Sequence, residues 1–71
     1  MRINKQKVIA LMNEYAKGNY NEFARMLNLN VAHVYRTLVH ENTKAGPKFL
    51  GALISFCETR DLDYKDYIFL N

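Results

Sequence analysis

Few residues in this chain could do chemistry. His33 and His40 stand seven positions apart, which puts them on one helical face but about 10 Å apart along its axis. That is too far to share one metal ion. The single cysteine, Cys57, falls within the apolar pattern Phe49, Leu53, Ile54 and Phe56, so it reads as a buried thiol rather than a nucleophile. Asp61, Asp63 and Asp66 occupy a turn and a helix start, where carboxylates accept from free backbone N–H groups. Their spacing is not that of a calcium loop, and no glycine-rich phosphate cradle occurs. No catalytic residue, cofactor or metal is expected, and the chain is not read as an enzyme. What remains is a set of donors and cations: Asn19, Tyr20, Asn30, His33, Tyr35, Arg36, Lys44 and Lys48. Their common chemistry is the recognition of a polyanion.

The charge distribution agrees with that chemistry. Residues 1–48 carry eight Lys or Arg against three Asp or Glu, whereas residues 49–71 carry two against four. One sign gathers on the first two-thirds, as expected of a part that faces a polyanion; the alternative is a solvated basic surface. At 71 residues the chain is one domain, residues 1–71, with one small core. Apolar residues make up 49% and charged residues 24%, the balance of a folded soluble chain. A lone cysteine cannot close an intramolecular disulfide, so packing alone must hold the core. The sequence has no apolar run of about 18 residues for a membrane span and no signal segment after Met1. A cytoplasmic protein with no membrane partner and no small-molecule substrate is expected.

Five short helices and no strand are expected to position the donors. Val8, Leu11, Met12, Tyr15 and Ala16 follow helical spacing, in a helix starting near Ile3 or Asn4 and stopping at Gly18. Asn19 and Glu22 have the form of a capping box, opening a short helix with Phe23, Ala24 and Leu27 on one face. Asn28 suits a left-handed turn position, Leu29 plugs the corner, and Asn30 caps the next helix, Val31 to about His40. Residues 41–46 form a polar loop, and Pro47 is the first residue of a fourth helix with the stripe Phe49, Leu50, Leu53, Ile54 and Cys57. Asp63 caps a last helix from Tyr64 to Leu70. The expected core joins Val8, Leu11, Met12, Tyr15, Phe23, Ala24, Leu27, Leu29, Val34 and Leu38 to that stripe.

Two short helices joined by a three-residue turn, with Ala24, Asn28, Leu29 and Val34 at their spacing, follow the plan of a helix-turn-helix. The stretch NYNEFARMLNLNVAHVYRTL resembles the Cro/lambda-repressor type of helix-turn-helix domain, which includes the xenobiotic-response-element-like regulators of phages and bacteria. GPKFLGALISFCETRDLDYKDYIFL resembles that family's closing helix pair, so the likeness runs from Gly18 to Leu70. Three positions depart from the family pattern. Asn28 replaces the usual turn Gly, Tyr20 stands where Gln is frequent, and Leu38 and Val39 replace an acidic residue.

The resemblance implies an all-α, compact five-helix lambda-repressor-like DNA-binding domain with its helix-turn-helix at about 19–40. The implied function is a Cro-like repressor, a sequence-specific regulator that binds double-stranded DNA with helix 31–40 in the major groove. Asn30, Val31, Ala32, His33, Tyr35 and Arg36 then occupy the base-facing positions. Arg36 can pair in two-pronged fashion with guanine, or meet a phosphate. Val31 and Ala32 carry no donors and can touch only a thymine methyl, Val31 having packing beside the turn as its other role. His33 is a phosphate donor or a plain exposed imidazole, and Tyr35 reaches DNA or packs on a neighbouring helix. Asn19 and Tyr20 face one strand's phosphates, Asn19 having its helix cap as its other role, and Lys44 and Lys48 face the other's, each alone having plain solvation as its alternative. One reading helix covers only about 4–6 base pairs, so a weak homodimer through the C-terminal end is expected, with Phe69 and Leu70 outward. The alternative function keeps the helix-turn-helix fold as a protein-interaction module, such as a small phage inhibitor of a host protein.

Overall fold

The computed structural model describes residues 2–39 and 46–69. In chain order these form a two-residue strand β1 (Arg2–Ile3) and four α-helices: α1 (Lys5–Ala16), α2 (Tyr20–Leu27), α3 (Val31–Val39) and α4 (Pro47–Thr59). A single 3-10 turn (Tyr64–Asp66) and a second two-residue strand, β2 (Ile68–Phe69), follow. His40, residues 41–45 of the expected 41–46 loop, including Lys44, and Leu70 lie outside the described residues.

Local chemistry accounts for most helix ends. Asn4 precedes α1 in extended conformation and its side-chain oxygen accepts from the Lys7 N–H at 3.4 Å. α1 closes on two left-handed residues, Lys17 at φ 54° and Gly18 at φ 76°; only Gly18 was expected to turn. Pro47 stands at the first position of α4, as its fixed φ and missing N–H favour.

Each helix turns one stripe inward. α1 buries Val8, Leu11, Met12 and Ala16; α2 buries Phe23, Ala24 and Leu27; α3 buries Val34, Thr37 and Leu38. α4 contributes Phe49, Leu53, Phe56 and Cys57, with Leu50 and Ile54 only half-buried at the rim. The inward face of α4 is therefore rotated toward Phe56 relative to the expected stripe. The reason is aromatic packing: the Phe56 ring meets Tyr15 edge-on at 5.5 Å and Phe23 at 5.9 Å, joining three helices. Arg60 closes the stack, its guanidinium 3.9 Å from the Phe56 ring centre. Leu29 and Tyr15, expected in the core, pack against it half-buried.

The expectation of a fifth helix over 64–70, and of no strand, is corrected. Asp63 caps as expected, accepting from the Lys65 N–H at 3.0 Å, but what it opens is one 3-10 turn. The chain then extends and pairs antiparallel with β1, Arg2 opposite Phe69 and Ile3 opposite Ile68. The Asn4 N–H donates to the Tyr67 carbonyl at 2.8 Å and lengthens the ladder. Ile3 and Ile68 are both buried by this pairing, which offers more than seven isolated residues can gain as a helix.

Candidate nucleic-acid interface

The surface that the sequence points to is made by α2, the three residues after it, and α3. Asn19 stands extended before α2, and its side-chain oxygen accepts from the Glu22 N–H at 3.2 Å. The reciprocal half of the expected capping box does not form. The Asn19 N–H goes to the Ala16 carbonyl at 2.9 Å, and the Glu22 carboxylate pairs with Arg25 at 3.0 Å.

α2 ends on Asn28 at φ 58°, whose N–H turns back to the Ala24 and Arg25 carbonyls, and the Leu29 N–H donates to Ala24 at 2.9 Å. Three residues thus redirect the chain, and Asn30 starts α3 by accepting from the Ala32 N–H at 2.8 Å. The turn residue, the corner plug and both caps take the roles their types suited. Thr37, the buried polar residue of α3, donates to the His33 carbonyl at 2.8 Å.

With Val34, Thr37 and Leu38 inward, the 100° step of a helix sets the outward crest of α3. Ala32, Arg36 and Val39 lie on it and are all exposed. On the α2 flank stand Val31, 37% exposed, and Tyr35, 50% exposed. The Tyr35 ring packs edge-on against Tyr20, the first residue of α2, at 5.2 Å. Tyr35 therefore packs on a neighbouring helix, one of the two roles weighed for it, while keeping half of its surface exposed. Expected as two separate contacts, Tyr20 and Tyr35 form one aromatic ridge. On the opposite flank His33 is half-buried, its ring edge-on to the buried Phe49 at 6.0 Å, so it leans toward α4 rather than outward. That contact brings the first turn of α4 beside α3, and Lys48 is exposed there. Asn19 and Asn30 are exposed but hold their own helix starts through their side-chain oxygens, which leaves the amide NH2 groups free to donate.

Val39 is the residue of this face that the sequence reading left out, although it is 48% exposed. Its signal was available in the stepping from Ala32 to Arg36 to Val39 along one side of the helix.

Elsewhere, a groove of about 420 Å³ runs between the end of α2 and α4, its polar lining being Asn28, Ser55, Thr59 and Arg60. Among the described residues no group of three or more His, Cys, Asp or Glu could hold a metal ion. No described helix is long and apolar enough to cross a membrane. Burial pushes the Cys57 thiol above its ordinary range, and Asp63 and Asp66 push it further the same way; a protonated, enclosed thiol is a packing group. The chain matches no protein-family model, no curated protein and no solved structure.

Proposed function

We propose that this chain is a non-enzymatic, cytoplasmic, sequence-specific DNA-binding regulator of the Cro-like repressor kind, α2 and α3 forming its helix-turn-helix. The observation that carries the reading is the outward crest of α3, where the Arg36 guanidinium stands exposed between two small or medium apolar residues. A guanidinium in that position can donate two parallel bonds to the O6 and N7 of one guanine. Backbone donors flank it: Tyr20 and the Asn19 amide on the α2 side, and Lys48 on the α4 side. The dipole of α2 adds positive potential at Asn19. Base reading and backbone clamping are thereby divided between the crest and its two flanks.

A fluorescence-anisotropy titration of the chain against a random duplex, at low and at physiological salt, tests the reading. Binding that weakens steeply with salt is expected, followed by enrichment of a defined sequence from a random library. Arg36→Ala should lower affinity for that sequence while leaving the random duplex nearly unaffected. Absence of any duplex binding at low salt refutes it.

A second reading has one observation in its favour. Val31, Tyr35 and Val39 put two aliphatic side chains and one aromatic one on the exposed side of a single short helix, which is the composition of a protein-docking face. Under that reading the chain is an interaction module, and failure of all duplexes to bind is its expected outcome. The homodimer expected through the C-terminal end changes its basis. Ile68 is buried in the strand pair and Tyr64 and Tyr67 are half-buried, so among the described residues Phe69, 48% exposed, is the apolar group left for a partner copy.

A further inference from the structure

We infer that α3 reads the C5-methyl groups of pyrimidines, so that the preferred half-site is thymine-rich around one guanine. This rests on the DNA-binding reading and narrows it to a class of base. In the major groove an edge is distinguished either by hydrogen bonds or, at pyrimidine C5, by apolar contact with a methyl group.

The structure leaves α3 little of the first kind. The Asn30 side-chain oxygen accepts from the Ala32 N–H at 2.8 Å, which ties that side chain to the helix start and leaves its NH2 as the group turned to other partners. The Thr37 hydroxyl is buried and bonded to the His33 carbonyl. His33 leans on Phe49, and Tyr35 is held against Tyr20. Arg36 is the one side chain on the crest with hydrogen-bond donors, none of them engaged among the described residues, and those suit one guanine.

The rest of the crest is hydrocarbon, Ala32 and Val39, the latter 48% exposed, and the near flank adds Val31 at 37% exposure beside the Tyr35 ring. An Ala at the first turn lets the helix backbone approach the base edges closely, and the valine methyls stand on either side of Arg36 along the axis. A thymine methyl laid against them removes apolar surface from water on both partners. The same group at the same groove position is carried by 5-methylcytosine, whereas cytosine and deoxyuridine lack it.

The probe is the duplex that the chain enriches from a random library, compared with copies in which each thymine in turn is replaced by deoxyuridine. That change deletes the methyl and keeps the base pair. Thymines facing α3 should each lose about fourfold in affinity, the worth of one buried methyl-sized group, while those outside the half-site lose nothing. Val31→Ser should abolish the sensitivity at one such position and preserve it at the others. Val31→Thr keeps the branched shape and one methyl, and should retain part of it. A pair of 5-methylcytosine with guanine, in place of a sensitive thymine pair, should bind more tightly than its unmethylated counterpart; if it does not, the contact belongs to thymine's other groups and the methyl assignment fails. Equal affinity for thymine and deoxyuridine duplexes, with sequence preference intact, would overturn the inference and leave DNA binding standing. Enrichment of no duplex would overturn both.

Discussion

α3 and α4 are neighbouring helices that treat their outward faces in opposite ways. α4 turns Phe49, Leu53, Phe56 and Cys57 inward and leaves Lys48, Gly51, Ser55, Glu58 and Thr59 in water. That is the division expected of a helix whose only task is to close a core. α3 also has an inward stripe, Val34, Thr37 and Leu38, yet leaves Val31, Tyr35 and Val39 outside beside Arg36. Among the described residues the Tyr20 ring packs against this set, at Tyr35, and Val31 and Val39 keep 37% and 48% of their surface exposed. The difference separates a helix whose apolar residues mostly face the core from one that also carries exposed apolar residues, the face on which the proposed function rests.

The largest test of that contrast is Leu53→Ala. Leu53 is fully enclosed, so its truncation should cost about 2–5 kcal/mol of unfolding free energy in a urea titration. The same truncation of Val39 should stay within about 0.5 kcal/mol. Equal losses at the two sites would erase the distinction between the helices.

Next in size is Arg36→Ala, for which about 1–3 kcal/mol of affinity for an enriched duplex should disappear. The urea midpoint should hardly move, because Arg36 makes none of the described side-chain hydrogen bonds or ion pairs. A large drop in stability would reassign Arg36 to the fold.

Asn28→Val asks how α3 is aimed. A β-branched residue at φ 58° meets its own backbone, and the left-handed conformation should cost about 1–2 kcal/mol. Asn28→Gly should cost far less. If valine is tolerated without loss, the turn does not fix the angle between α2 and α3.

The smallest effect is a slope with pH, and it belongs to the α4 side. Burial raises the Cys57 thiol and the Tyr67 phenol above their ordinary values. The folded chain therefore holds these protons more firmly than the unfolded chain. The contribution is complete below the unfolded values and is lost as pH rises through the folded ones. Urea midpoints should decline on the alkaline side, and Cys57→Ala should flatten part of that decline. A midpoint that stays level into the alkaline range would show that neither proton is held.

Where the sequence could be read, the cause lay within a few residues. Asn19, Asn28, Asn30 and Asp63 each act on backbone groups no more than four positions away and cap or turn where expected, although Asp63 opens a 3-10 turn and not the expected helix; Pro47 starts α4 through its own fixed φ. The Glu22 half of the capping box failed because Arg25, one turn on, offered an opposite charge. Phe56 was left out of the expected core because a single stripe does not reveal which neighbours it will meet; Tyr15 and Phe23 decided the rotation of α4. The C-terminal segment was misread for the same reason on a larger scale. Tyr64, Tyr67 and Ile68 have helical spacing, but Ile68 finds its partner in Ile3, at the far end of the sequence. On the exposed side of α3, Arg36 and Val31 were visible by type and position, whereas the joining of Tyr20 to Tyr35 and the inward lean of His33 required the helices to be placed.

The pairing of β1 with β2 has a mechanical consequence. The two strands run antiparallel, with residue 2 opposite residue 69. A pull applied between those two positions therefore acts across the ladder and opens its hydrogen bonds one after another, as a zip opens, instead of shearing them together. Peeling should proceed at low force through Ile3 and Ile68 to the Asn4–Tyr67 bond, and only then load α1 and the 3-10 turn. The helices would feel tension after the clasp had already released, so a force-extension trace should show a small early yield followed by the main rupture.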